Sequence, residues 1–225
     1  MLEHGRLWAH EGRSASNQQR GSAHGMARTD DAERVVAHFA QGPLLVENVY
    51  LSPLFLSGSQ QKELADHLLI HRGQAIVLQL KCQADPGLRI GSTLTRWVTK
   101  SASDGVNQLT GALRTIRGKA YWCNHPVFGR VEFQKDQISA IHGVVLVEHR
   151  HPGFILPTDS RFPIKIRDAL VSYFTLSDFC NTIEQLRTFR DIVQYLDSRH
   201  NACGVDLRRT GDDEAVPSRF VLKLR

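Results

Sequence analysis

Cysteine is scarce in this 225-residue chain, and the four present are scattered. Cys82, Cys123, Cys180 and Cys203 include no C-x-x-C pair. That argues against a zinc ribbon or a thioredoxin-type motif and fits free thiols in a reducing compartment. Long apolar runs are missing as well. None approaches the ~18 residues of a membrane-spanning helix. The N-terminal stretch "MLEHGRLWAHEGRSASNQQRGSAHG" has no apolar h-region. Neither a membrane partner nor a secretory signal is expected, and the default location is the cytoplasm. Internal repeats are absent. Charge of one sign does not dominate either: 28 Lys and Arg stand against 23 Asp and Glu, a net charge of +5. That balance permits a polyanionic partner without requiring one.

What is present suits one globular domain. Hydrophobic residues make up 41% of the chain, enough for a core without a staple. Residues 1–28 lack an apolar period and read as a disordered segment. An α/β domain is expected over 29–204, and a charged tail over 205–225. Within the tail, "RFVLKL" (219–224) has the composition of an edge strand.

Patterning supplies the elements. "DDAERVVAHFA" (30–40) reads as a helix with Val35, Val36 and Phe39 on one stripe. "LLVENVYL" (44–51) is β-prone, and "SGSQQ" (57–61) reads as a loop. Val106, Leu109, Leu113 and Ile116 predict a helix over 102–118, with Ser103 as N-cap and Gly118 as its stop. "AIHGVVLVEHR" (140–150) reads as a buried strand. Apolar spacing over 176–199 predicts one long helix or two abutting ones. The interleaving points to helices packed around a mixed sheet.

The most informative stretch is "KELADHLLIHRGQAIVLQLKCQ" (62–83), two apolar runs meeting at Arg72-Gly73. A turn there pairs His71 with Gln74 and, carried outward, sets Asp66 opposite Gln79. Lys81 follows two residues on and shares Gln79's face. Directly opposed Cβ atoms lie ~4.5–5.5 Å apart, so Asp66, Gln79 and Lys81 can converge. A slip of one residue would break the cluster. The neighbours are apolar on both faces, with Leu64, Leu68, Ile70, Ala75 and Val77 on one and Leu69, Ile76, Leu78 and Leu80 on the other. Unpaired charge there is costly. Two readings follow: a closed Asp66–Lys81 ion pair, or a phosphodiester-cleaving site open to solvent.

At these residues the chain resembles the PD-(D/E)XK, or restriction-endonuclease-like, nucleases. Asp66 matches the family's Asp, and Gln79-Leu80-Lys81 its (Asp/Glu)-x-Lys tripeptide, with Gln79 in place of the acid. The Gln-x-Lys form is similar to that of Mrr-type restriction enzymes. The predicted helix at 102–117 with Gln108, the strand at 140–150, and the first helix with Glu33 resemble further parts of that core. The resemblance covers roughly residues 30–150. It implies a restriction-endonuclease-like mixed β-sheet flanked by helices, with additional C-terminal helices.

The resemblance also implies metal-dependent hydrolysis of DNA, with RNA left open. Asp66, Gln79 and the Leu80 backbone carbonyl would ligate Mg²⁺ or Mn²⁺, with Glu33 or Glu63 completing the shell. Lys81 would hold or deprotonate water and stabilise charge on phosphorus. Gln108, Lys100, Arg114 and Arg117 would meet the nucleic acid, or else form a solvated basic face together with Arg96 and Lys119. Restriction-like folds often dimerise to cut two strands, which leaves a homodimer open, although no heptad or large exposed stripe in the sequence argues for one. The missing acid at position 79 supports the alternative, a catalytically silent nuclease-like module that binds nucleic acid or a protein. His67 and His71, on the face opposite Asp66, read as structural. His149-Arg150-His151 reads as an exposed strand end.

Overall fold

The computed structural model describes residues 48–83, 91–148, 161–186, 188–202 and 215–217. The readings made for residues 1–28, the helix at 30–40 with Glu33, Cys203, His149 to His151 and the stretch 219–224 lie outside them.

Strand β1 (Val49–Ser57) turns through Gly58-Ser59 into β2 (Gln60–Glu63), and β3 (His67–His71) turns through Arg72-Gly73 into β4 (Gln74–Cys82). Arg72 and Gly73 have φ of 49° and 77°. Two successive positive values are what a two-residue type I′ hairpin turn requires. The register is His71 to Gln74 through His67 to Leu78, as the turn position predicts. A long helix, α1 (Gly91–Gly118), and a hairpin, β5 (Tyr121–His125) with β6 (Gly129–Phe133), lead to β7 (Ser139–Glu148). There follow β8 (Arg161–Pro163), β9 (Lys165–Ile166), β10 (Ala169–Thr175), α2 (Leu176–Gln185), α3 (Phe189–Ala202) and β11 (Ala215–Pro217).

The main sheet is mixed and runs β6-β5-β1-β3-β4-β7-β10-β9, with β2 also beside β1. β7 is parallel to both β4 and β10; the remaining pairs are antiparallel. β11 pairs with β8 in a separate ribbon, so part of the stretch read as a charged tail is strand. The central strands are buried on both faces. Ala75, Val77, Val145 and Val147 pack under α1; Ile76, Leu78, Leu80, Val144 and Leu146 pack with α2 and α3.

Helix α1 is longer than its predicted span. Leu94, Val98 and Ala102 continue the apolar stripe at four-residue spacing and are buried. Ser103 is therefore not the N-cap: it sits inside the helix and donates its hydroxyl to Thr99 O at 3.0 Å. Helix and sheet meet at two glycines. A Cβ at Gly105 would lie 2.7 Å from Val145 Cγ1, and one at Gly143 would lie 2.9 Å from Leu109 Cδ1. The two glycines that weaken the helical pattern have different surroundings: Gly105 is the contact point with β7, whereas a Cβ at Gly111 meets nothing.

The segment read as one or two helices is two. Leu186 takes an extended conformation after α2, and α3 begins at Phe189. Thr175 caps α2 by accepting from Asp178 N at 3.1 Å. Under α3 lies a buried polar cluster. His142 Nε2 is 3.2 Å from Asp197 Oδ1, and Ser172 Oγ is 3.2 Å from His200 Nε2. Arg199 donates to Tyr173 O at 2.7 Å and lies over the Phe174 ring. Burial drives the His142 imidazole below its ordinary pKa, and it pushes His200 down to about 4. Asp197 opposes both shifts. No helix among the described residues is long and apolar enough to cross a membrane.

Candidate active site

The sheet has a notch. β1 pairs with β3 through Val49–Leu51 and with β2 through Leu54–Ser57. The switch occurs at Ser52-Pro53, where the register against β5 is also irregular. Ser52 has a φ of 42°, a left-handed conformation that costs a non-glycine residue about 1 kcal/mol or more. Two backbone bonds hold it: Ser52 N donates to Asp66 O at 3.1 Å, and Leu64 N to Pro53 O at 2.7 Å.

Asp66 sits in that notch, one residue before β3. Its carboxylate Oδ2 accepts the Leu80 N–H of β4. Even-numbered residues of β4 direct their backbone groups toward β3, as the closing His71–Gln74 pair requires. Leu80 is the first of them without a β3 partner, and the Asp66 side chain takes that place. By the same alternation the Leu80 carbonyl faces the notch. One residue past the last β3–β4 pair, His67–Leu78, Gln79 is buried and its Nε2 lies 3.5 Å from Leu64 O. Its Oε1 remains a neutral oxygen donor.

The notch opens into a cleft of about 530 Å³ between the sheet and the C-terminal half of α1. Leu64, Ala65, Asp66 and Gln79 line its floor. Gln108, Ala112, Arg114 and Thr115 form the helical wall. Phe55, Ser57, Lys62 and Glu63 form the wall across from it, with Lys119 at the lip. Burial raises the Asp66 carboxyl above the usual range; the Leu80 N–H, Lys81 and His67 pull it down by less. Glu63 is also raised, by partial burial first and by Asp66 second, with Lys81 opposing. Glu63 thus feels Asp66, and both carboxyls feel Lys81.

The predicted residues divide. Asp66, Gln79, Glu63, Gln108 and Arg114 come together around the cleft. Half-buried Lys81 is outside its lining and acts on the carboxyls through space, and Asp66 has no direct ion pair with it among the described residues. Lys100 and Arg117 do not line the cleft. Lys100 pairs with Asp104 at 2.6 Å, one turn along α1, and Arg117 pairs with Asp168. His71 packs against Phe189 of α3, the face opposite Asp66. Phe55 and Lys62 escaped the sequence reading. They are direct partners across the β1–β2 hairpin, and β2 carries no apolar residue that would announce it as a strand.

No cluster of three or more His, Cys, Asp or Glu side chains in metal-ligating geometry occurs among the described residues. The donors at the notch are instead two carboxylates, an amide oxygen and a backbone carbonyl. Comparison with protein-family models, with curated proteins and with solved structures found no match.

Proposed function

We propose that the cleft is the active site of a metal-dependent nuclease that hydrolyses phosphodiester bonds of DNA. The observation that carries this reading is the notch itself. A strand pairing gives way there, and the Asp66 carboxylate takes the Leu80 N–H at the floor of an open cleft that Gln79 also lines. The order of elements adds support. An antiparallel β1-β3-β4 arrangement is followed by α1 and then by β7 alongside β4, which resembles the restriction-endonuclease-like core.

The donor set fits a hard cation. Mg²⁺ takes oxygen ligands and commonly binds through one or two carboxylates while keeping several waters. One Asp66 oxygen is tied to Leu80 N–H, and the other has no hydrogen bond among the described residues. Gln79 Oε1, the Leu80 carbonyl and Glu63 are the remaining candidates. A half-buried carboxyl with an exposed one beside it is a pair that a divalent cation relieves. Bound there, Mg²⁺ or Mn²⁺ would polarise a phosphoryl oxygen and lower the pKa of water. Lys81, outside the lining, offsets through space the negative charge that builds on the phosphate in the transition state. Arg114 and Gln108 orient the strand by its phosphates.

A second reading, a nuclease-like module without catalysis, is favoured by one feature: Gln79 supplies no charge where an acid would. Cleavage of plasmid and linear DNA with Mg²⁺, with Mn²⁺ and with chelator decides between them. Metal-dependent nicking that is lost in Lys81→Ala supports the nuclease. DNA binding without cleavage under every condition supports the silent module.

A further inference from the structure

The cleft holds a feature that hydrolysis does not require. Phe55 is half-buried in the wall across from α1, and the exposed ammonium of Lys119 lies 5.3 Å from its ring centroid. The face of the ring is therefore turned to the opening. Lys62, the direct partner of Phe55, projects from the same side of the hairpin. Arg114 stands on the opposite wall, exposed. An aromatic face thus shares the cleft with three cations, while the Asp66 carboxylate lies deeper in the notch.

We infer that the cleft takes a single nucleic-acid strand, DNA in the first place, with one unpaired base stacked on Phe55 and the adjoining phosphates on Lys62, Arg114 and Lys119. The choice of polymer rests on the nuclease reading of this cleft. The choice of a single strand rests on the ring. In a duplex every base face is covered by its neighbours, so only an unpaired or splayed base can lie on a recessed aromatic side chain. An exposed cation–π contact is weaker than base–aromatic stacking. A base therefore displaces Lys119 from the ring and leaves its ammonium free for a phosphate. Ser52 is bonded to the Asp66 backbone, and Phe55 lies three residues further along β1. At about 3.3 Å per residue the ring is roughly 10 Å from the notch. Stacked nucleotides are spaced about 3.4 Å apart, so the stacked base lies within about three steps of the phosphate under attack.

The test is fluorescence anisotropy of a labelled oligothymidylate, a blunt duplex and an oligouridylate, in chelator, so that binding is read without cleavage. Wild type should prefer the single DNA strand to the duplex. Phe55→Leu keeps the bulk and loses the ring, and should bind about five- to a hundredfold more weakly. Phe55→Tyr should bind like wild type. Three phosphate contacts predict a log–log salt slope of roughly −2, made shallower by Lys119→Ala. Equal affinity for oligouridylate supports the same stack with the sugar unread. Equal or tighter binding of the duplex, uridylate bound with thymidylate rejected, or an unaltered Phe55→Leu overturns the inference. Metal-dependent cleavage by that same protein would leave the nuclease reading standing. Conversely, ring-dependent binding without cleavage of any substrate sinks the nuclease and keeps the stacking site.

Discussion

Replacing Gly105 by Ala tests the contact that fixes one wall of the cleft. Glycine inside a helix is less favourable than alanine by about 0.8–1.0 kcal/mol. Gly111→Ala, whose Cβ meets nothing within 4 Å, should gain most of that amount. For a chain of this size the melting temperature should rise by about 1–4 °C. At Gly105 the same gain is set against a Cβ placed 2.7 Å from Val145 Cγ1. Val145 is fully buried on β7, flanked by β4 and β10. Its β-branched side chain is stiff at χ1 and has nowhere to swing. Overpacking of this kind costs about 1–3 kcal/mol, so Gly105→Ala should be neutral to about 2 kcal/mol less stable than wild type. Urea unfolding of both variants at equal m-value measures the difference, which should be at least about 1 kcal/mol. If the two substitutions stabilise equally, α1 is not seated on β7 at this point, and the placing of Gln108 and Arg114 over the cleft is wrong.

Other outcomes follow from the site. Lys81→Ala should lower the cleavage rate by about two to four orders of magnitude while the melting curve stays near wild type; cleavage at the wild-type rate removes Lys81 from the mechanism. Gln79→Glu should lower the metal concentration for half-maximal binding in a calorimetric Mg²⁺ titration, because a carboxylate attracts a divalent ion more strongly than an amide; negligible binding by both proteins would sink the metal assignment. The raised pKa of Asp66 means that the folded state holds this proton more tightly than the unfolded chain. Stability is then lost as pH rises through the folded pKa, and Asp66→Asn should be more stable than wild type at pH 7 but not at low pH, read by urea unfolding. The His200 shift has the opposite sense: stability is fully present above about 6.5 and falls as pH drops toward about 4, by at most about 3 kcal/mol. His200→Asn, which can still bond Ser172, should flatten that slope.

The hairpin was the most legible part of the chain. A two-residue turn has one register, and the period of two then dictates faces, so the pairs from His71–Gln74 to His67–Leu78 followed from Arg72-Gly73 alone. Interleaved apolar runs likewise gave the mixed α/β class. The start of α1 was hidden because Thr93, Thr95 and Thr99 lower helix propensity, although Leu94 and Val98 carry its stripe. β2 was hidden for a different reason. "QQKE" has no apolar face, and only pairing with β1 makes it a strand. The cleft wall that it forms, with Phe55 and Lys62, therefore could not be read before the fold was known. That Lys100 and Arg117 lie outside the cleft could not be read either, because charge spacing on a helix does not reveal which carboxylate lies nearby; they pair with Asp104 and Asp168.

The open sheet also bears on how copies of this chain could meet. Its terminal strands are β6 and β9. β9 is only two residues long and includes exposed Lys165. β6 is mostly exposed and carries Arg130 and Glu132, which bond to each other at 2.7 Å while the guanidinium covers Trp122. Short and charged borders discourage strand addition from another molecule, since the incoming chain would have to desolvate a lysine or break that pair. A homodimer joined by extending one continuous sheet across these two borders is thus disfavoured.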